Sequence, residues 1–164
     1  MPMSEGRNDY VGAFVVTAGS GIDVLRAKFE AEGDSYKSML LQTLTDRLVE
    51  AAAEYLHERV RKVYWGYANN ESLSVLDLHQ AKYQGIRPAI GYPSMPDQLQ
   101  NETIDKLLDM SQIGVRLTEN GAMYPTATIS GLYIAHPDAD YFMVGKISEE
   151  QVKEYAGRFG RAHV

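Results

Sequence analysis

The stretch that decides the fold is residues 34–64, DSYKSMLLQTLTDRLVEAAAEYLHERVRKVY, which contains neither glycine nor proline. Asp34 is a typical helix N-cap, because its carboxylate accepts hydrogen bonds from the first free backbone N–H groups of a helix. Apolar residues follow at helical spacing, namely Leu40, Leu41, Leu44, Leu48, Ala51, Ala52, Tyr55, Leu56 and Val60. The stretch therefore predicts one long amphipathic helix.

Upstream of this helix, the sequence predicts a strand, a turn and a helix. Residues 9–17, DYVGAFVVT, are rich in β-forming side chains, and residues 22–32 have a helical pattern. The turn between them, AGSG at residues 18–21, has neither the GxGxxG nor the GK[ST] spacing of a phosphate-binding loop. These glycines are therefore interpreted as a plain turn.

Downstream, the pattern changes from helices to strands. Ser74 and Asn101 are N-cap residues for short helices over residues 74–83 and 101–110, and Ser148 opens a final helix that reaches about Phe159. Alternating apolar residues predict strands between these helices, at residues 115–117, 127–134 and 141–144. The predicted fold class is α+β, with a mostly antiparallel twisted sheet packed against the long helix and several short ones.

Composition narrows the classes of partner. The 164 residues fit one domain, and a formal charge of −6 with a pI near 5.2 has the wrong sign for nucleic acid or an anionic membrane surface. No cysteine is present, which excludes disulfides and thiolate chemistry and agrees with a reducing compartment. No apolar run is long enough to span a bilayer. A cytoplasmic protein with no nucleic-acid or membrane partner is expected.

The sequence gives no sign of a metal centre or of covalent catalysis. The four histidines are scattered, and no HExxH motif occurs. His57 lies beside Glu58, but adjacent helical residues point to different faces, which favours a solvated or supporting role for His57. Ser130 and Gly131 fall inside a strand pattern instead of a nucleophile elbow. No metal ligands and no catalytic residues are therefore expected.

Residues 87–96, RPAIGYPSMP, are called here the Pro-rich segment. Its prolines fix the backbone and remove N–H donors, which predicts an extended stretch poorly suited to ordinary strand pairing. Arg87 offers a planar fork of donors to a carboxylate, and Tyr92 offers an aromatic face to a cation. Ala89 and Gly91 leave room for a flat ligand to approach the backbone. The alternative interpretation is a simple surface connection between two helices.

A dispersed polar and aromatic set could converge with this segment on one zwitterionic ligand. Glu50 lies on the long helix, Arg87 and Tyr92 on the Pro-rich segment, and Tyr141 and Phe142 on a predicted strand. Taken singly, each of these residues is equally well a solvated acid, a surface ion pair or a core aromatic. Only their combination indicates a binding site.

Four stretches resemble a known family: residues 9–17, residues 53–68 (AEYLHERVRKVYWGYA), residues 83–93 (YQGIRPAIGYP) and residues 129–137 (ISGLYIAHP). Together they are similar to the C-terminal activation domain of cobalamin-dependent methionine synthase. The likeness runs over residues 9–159, with the motifs in the same order and at similar spacing. It is therefore more specific than any single short pattern in the chain.

The resemblance implies that residues 9–164 bind S-adenosylmethionine and support reductive methylation of cob(II)alamin to methylcobalamin. It implies two partners, the cobalamin-binding domain of methionine synthase and an electron donor, either flavodoxin or a flavoprotein reductase. The methyl acceptor is the cobalt of cobalamin, which the partner domain carries. The intact enzyme is a methyltransferase, and this chain alone is expected to be non-catalytic.

The family's site residues carry over by motif. Arg87 is expected to bind the ligand through its guanidinium, with Glu50 near the ligand's amino group. Asp46, one helical turn before Glu50, is expected to help dock the cobalamin domain. Ala89, Gly91 and Tyr92 are expected to line the ligand and the approaching corrin, with Tyr92 also at the docking face for the cobalamin domain. Tyr141 and Phe142 are expected to close the pocket.

The sequence departs from the family pattern in two ways. The family's domain extends upstream of Asp9 and includes a DWxPFF-like segment that has no counterpart here, while residues 1–8 are expected to be a disordered or added start. In the Pro-rich segment, Ser94-Met95-Pro96 replaces the familiar Ala-Cys-Pro. These departures leave open a ligand-free interaction scaffold that docks a cobalamin domain or flavodoxin. An autonomous methyltransferase is disfavoured, because no motif positions a general base.

Overall fold

A computed structural model of the chain describes residues 9–159. Its regular elements, in chain order, are β1 (Gly12–Thr17), α1 (Ile22–Ala31), α2 (Ser35–Arg59) with a π-helical turn (Val60–Tyr64), α3 (Val75–His79), a 3₁₀ turn (Gln98–Gln100), α4 (Asn101–Leu108), a second 3₁₀ turn (Met110–Ile113), β2 (Arg116–Leu117), β3 (Met123–Tyr124), β4 (Thr128–Tyr133) and α5 (Glu149–Phe159). The predicted α+β class is confirmed. The prediction for residues 1–8 lies outside the described residues.

The long helix begins as its cap predicts, with Asp34 Oδ1 accepting from the Lys37 backbone N–H at 3.0 Å. Its predicted apolar stripe packs only in part, because Leu56 and Val60 join the core while the leucines nearer the start of the helix do not. Leu44 and Leu48 are exposed, whereas the face turned to the sheet carries Thr45, Val49, Ala53 and His57. Thr45 tolerates this buried position because its hydroxyl donates to the Leu41 carbonyl at 2.8 Å.

Strands β1 and β4 pair antiparallel, from Gly12 opposite Tyr133 to Thr17 opposite Thr128. Successive β1 side chains point to opposite faces, so Phe14 packs towards α2 while Val15 packs towards α4. The sheet thus lies between the long helix on one side and α4 on the other. A separate β2–β3 hairpin packs beside α4 and completes the second core.

The Pro-rich segment pairs with β4 through isolated bridges and single hydrogen bonds instead of forming a regular strand, in keeping with the expectation that it is poorly suited to ordinary pairing. The residue before it, Ile86, exchanges both backbone hydrogen bonds with Ile134, the Pro88 carbonyl accepts from Leu132 at 3.1 Å, and Ile90 donates to the Ser130 carbonyl at 2.9 Å. A proline removes only its own N–H, and its carbonyl still accepts. The segment therefore forms an edge on β4, which fixes its position.

Residues 141–144, called here the cover segment, do not form the predicted strand. They cross the Pro-rich segment and join it through single bonds, with the Val144 N–H donating to the Pro93 carbonyl at 2.9 Å. Because Pro93 and Pro88 have no N–H groups, the segment cannot offer this stretch a continuous ladder. The β3 strand, Met123–Tyr124, was in turn not anticipated from the sequence.

Candidate ligand-binding cleft

A cleft with a volume of about 600 Å³ opens between α2, the Pro-rich segment and the cover segment. The predicted site residues that line it are Glu50, Arg87, Ala89, Tyr92, Tyr141 and Phe142. They come from three separate parts of the sequence, and the sheet edge formed by the Pro-rich segment brings them together. The walls combine aromatic rings with one guanidinium and one carboxylate, which suits a small ligand with both apolar and charged parts.

Arg87 is the cation of the cleft. Its side chain is only 15% exposed, and its Nη2 lies 3.3 Å from Glu54 Oε2 and 3.9 Å from Glu50 Oε2. Its Nε also approaches Glu54 Oε2, at 3.4 Å. Sequence reasoning missed Glu54. The sequence did contain a signal for Glu54, because it follows Glu50 by one helical turn and so lies on the same face of α2.

Tyr92 and Glu50 join the two sides of the cleft. The Tyr92 hydroxyl donates a short hydrogen bond to Glu50 Oε1. Burial, and after it the hydrogen bond to the Glu50 carboxylate, raises the pKa of Tyr92 to about 12. The phenol is therefore neutral near pH 7, and its ring and hydroxyl are both presented to the cleft.

Tyr141 and Phe142 hold the cover segment over the cleft. The Tyr141 hydroxyl accepts from the backbone N–H of Arg87 at 3.0 Å and lies 3.2 Å from the hydroxyl of Tyr83. The Phe142 carbonyl accepts from Ser94 Oγ at 2.7 Å. Side chains and backbone of the cover segment are thus fixed by polar contacts, although the segment is not a strand.

Two predicted residues do not line the cleft. Gly91 has φ of +87°, which favours glycine, and its N–H donates to the Met95 carbonyl at 2.8 Å, so it shapes the turn that carries Tyr92. Asp46 lies on the exposed side of α2, one turn before Glu50, and accepts from Gln42 Nε2 at 2.8 Å. It faces outward near the cleft instead of into it.

A buried polar layer supports the cleft from behind. His57 is completely buried, stacked on Tyr133 at 5.3 Å and edge-on to Tyr83 at 4.8 Å. Of the two roles expected for it, solvated or supporting, it therefore has the supporting one. Burial, and then the positive charges of Arg61 and Arg87, lower the pKa of His57 to about 3. His57 is therefore neutral near pH 7 and supports the layer by packing.

Arg61 is the second unexpected member of this layer. Its side chain is 0% exposed, and its Nε and Nη2 donate to the Glu71 carboxylate at 2.9 and 2.8 Å. The π-helical turn, in which the Trp65 N–H donates to the Val60 carbonyl at 3.0 Å, accompanies the inward placement of Arg61. No local sequence pattern marks such a turn, which is why this residue was not singled out.

Within residues 9–159, no group of three or more His, Asp or Glu side chains is arranged to hold a metal ion. In the same part of the chain, none of the helices combines the length and apolar character needed to cross a bilayer.

The fold and the cleft define an α+β domain with an open cleft, lined by charged and aromatic side chains, between a helix and a proline-stiffened sheet edge. A family model described as "Vitamin B12 dependent methionine synthase, activation domain" matches residues 1–160. The chain therefore belongs to the activation-domain family of vitamin B12-dependent methionine synthases, as the sequence motifs indicated.

A solved structure supports the same assignment. The chain is similar to a structure described as the MetH reactivation domain bound to AdoHcy, with 51% sequence identity and a TM-score of 0.93. The match covers 98% of this chain and 50% of that chain. The chain thus spans half the length of the solved structure that it matches.

Proposed function

We propose that the cleft binds S-adenosylmethionine, and its demethylated product AdoHcy, as part of the reactivation of methionine synthase. The observation that carries the proposal is that Arg87, Glu50 and three aromatic side chains line one cleft. The chain is also 51% identical to a domain whose structure was solved with AdoHcy bound. The domain unit proposed for this role is residues 9–164.

The chemistry of the cleft fits this class of ligand. Arg87 can bind the amino acid carboxylate through its donor fork, and Glu50 can accept from the ammonium group. The aromatic faces of Tyr92, Tyr141 and Phe142 suit a flat base and a sulfonium cation, which they stabilise without attacking. Ala89 leaves the backbone accessible on the cleft floor.

The role in reactivation involves a partner domain. Cobalamin, carried by that domain, supplies the cobalt that accepts the methyl group, and the chain's own residues only bind and orient the methyl donor. Tyr92 sits at the exposed side of the cleft, and Asp46 lies on the same helix one turn from Glu50. These two residues are proposed to meet the cobalamin-binding domain.

The rest of the proposal follows the family. The intact protein is proposed to be the methyltransferase, with this chain non-catalytic alone, and flavodoxin or a flavoprotein reductase is proposed as electron donor. A cytoplasmic location belongs to the same proposal. Its support is the family membership of residues 1–160.

Calorimetric titration with AdoHcy tests the binding step. The wild-type chain is expected to bind, and Arg87→Ala is expected to weaken binding by about tenfold or more, because a charge-assisted contact to the carboxylate is lost. Arg116→Ala is a matched control, since Arg116 stacks on Tyr124 in the β2–β3 hairpin, away from the cleft. Absence of binding by the wild type, with capture of a cobalamin domain unaffected by Arg87→Ala, would indicate the ligand-free scaffold instead.

A further inference from the structure

The Pro-rich segment fixes the backbone of Arg87 but not its side chain, which has several rotatable bonds between the backbone and the guanidinium. Orientation of the guanidinium therefore has to come from another element. Glu54 on α2 supplies it, because its Oε2 lies 3.3 Å from Nη2 and 3.4 Å from Nε of Arg87. Both contacts fall on the edge of the guanidinium that joins Nε and Nη2.

Glu54 is itself held from the opposite side. Its Oε1 lies 3.7 Å from Nη1 of the fully buried Arg61, which is fixed in turn by the two-point contact with Glu71. Charges thus alternate along the row Arg87, Glu54, Arg61 and Glu71. A buried cation is costly unless it is paired, and here its second partner is the carboxylate that contacts the cleft arginine.

Arg61 also reaches Arg87 through the aromatic side chains. Its guanidinium lies 4.3 Å from the centre of the Tyr83 ring, and the Tyr83 hydroxyl lies 3.2 Å from that of Tyr141. Tyr141 accepts from the Arg87 backbone N–H. One buried residue therefore supports both the side chain and the backbone of the arginine in the cleft.

We propose that Glu54, backed by Arg61, is a positioning residue that orients the Arg87 guanidinium towards the ligand carboxylate. The inference rests on the proposed function for the identity of the ligand, but not for the orientation of Arg87. Glu54 acts through Arg87 and makes no contact with the ligand that the proposal requires. Its removal therefore lowers affinity only where Arg87 is present.

A double-mutant cycle with AdoHcy tests this dependence. Glu54→Ala is expected to weaken AdoHcy binding by about fivefold or more in the wild-type background, and by less than about twofold when Arg87 is already alanine. Glu58→Ala is the matched control, since Glu58 lies one turn further along α2 and contacts Lys62 at 3.3 Å. Glu54→Gln, of similar shape, replaces the alanine variant if thermal unfolding shows that the latter does not fold. Equal losses in both backgrounds, or no loss at all, would overturn the proposal.

A second measurement needs no ligand and separates this proposal from the proposed function. The Arg87 Nε–H resonance, assigned by its disappearance in Arg87→Lys, is expected to be sharp and slowly exchanging in the wild-type chain. It is expected to broaden in Glu54→Ala and to stay sharp in Glu58→Ala. An unchanged resonance in Glu54→Ala would refute the positioning role. A wild-type chain that fails to bind AdoHcy would instead contradict the proposed function.

Discussion

The hydroxyl of Tyr141 accepts a hydrogen bond from the backbone N–H of Arg87 at 3.0 Å, so the cover segment is tied to the residue whose guanidinium enters the cleft. This single contact joins two parts of the chain that are far apart in sequence. It also gives the Arg87 N–H a hydrogen-bond acceptor, because the pairing of the Pro-rich segment with β4 supplies none at this residue.

Removing that hydroxyl gives the first prediction. Tyr141→Phe keeps the ring but leaves the Arg87 N–H without its acceptor, and is expected to lower the free energy of unfolding by about 0.5–1.5 kcal/mol. Urea denaturation measures the change. Tyr36→Phe, at an exposed position on α2, is the control and is expected to have no effect. A Tyr141→Phe chain as stable as the control would contradict the role given to this contact.

The second prediction concerns the approach of the Pro-rich segment to β4. A Cβ on Gly131 would lie 2.3 Å from the Pro88 carbonyl oxygen and 3.0 Å from the Ala89 Cα, and neither backbone atom can move without shifting the segment. Gly131→Ala is expected to destabilise the fold by about 1–3 kcal/mol and to weaken AdoHcy binding.

Gly157→Ala is the matched control for that substitution. Gly157 lies in α5, and a Cβ there meets nothing within 4 Å, so alanine is expected to be neutral or stabilising by up to about 1 kcal/mol. Thermal unfolding of both variants checks the contrast. If Gly131→Ala were as stable as Gly157→Ala, the segment would have to be more mobile than its hydrogen bonds to β4 imply.

The third prediction is a pH dependence of stability that comes from His57. Its pKa is about 3 in the folded chain, against an ordinary value of 6.5, so the unfolded chain binds one more proton between these two values. The contribution of His57 to the free energy of unfolding has its full value above pH 6.5. It falls by about 1.4 kcal/mol per pH unit as the pH is lowered from there towards 3. Tyr67, Tyr83 and Tyr133 surround the ring and supply no negative charge to offset protonation.

Denaturation series between pH 4 and pH 7 measure this dependence. His57→Gln is expected to be less stable overall, but with a shallower loss as the pH falls, because its side chain does not titrate. The quantity that matters is the difference in slope between wild type and variant, since carboxylates with lowered pKa values, such as Asp77, contribute equally to both. Identical slopes would show that His57 is not buried as a neutral ring.

The fourth prediction separates docking from ligand binding. Asp46→Asn removes a charge that faces outward on α2, and is expected to weaken association with a cobalamin-binding domain by about two- to tenfold while AdoHcy affinity is unchanged. Surface plasmon resonance with the immobilised cobalamin domain measures the first effect. Asp34→Asn makes the same charge change at the start of α2, where asparagine can still cap the helix, and is expected to leave docking unaltered. A loss of AdoHcy binding in Asp46→Asn would place this residue in the cleft instead.

Local chemistry made much of this site predictable from sequence. Asp34 caps its helix because of its own side chain, and the prolines around Arg87 restrict the backbone whatever lies nearby. Because the family motifs occur in order, Glu50 and Tyr92 were placed in one site from sequence, and the structure brings them into contact. Their binding of a ligand stays a prediction.

Features set by tertiary context were not predictable in the same way. Leu44 and Leu48 follow a helical stripe, but which face of α2 is buried depends on where the sheet lies. The alternation of residues 141–144 looks like a strand, yet the neighbouring prolines cannot complete a ladder. The role of Arg61 depends on a π-helical turn and on burial, neither of which leaves a mark on a single sequence.

A crystal structure of the chain grown with AdoHcy tests directly whether the cleft binds this ligand. Ligand density is expected in the cleft, with the amino acid carboxylate on the Arg87 guanidinium and the base against the rings of Tyr92, Tyr141 or Phe142. Density for AdoHcy at another surface, or an amino acid carboxylate turned away from Arg87, would contradict this expectation.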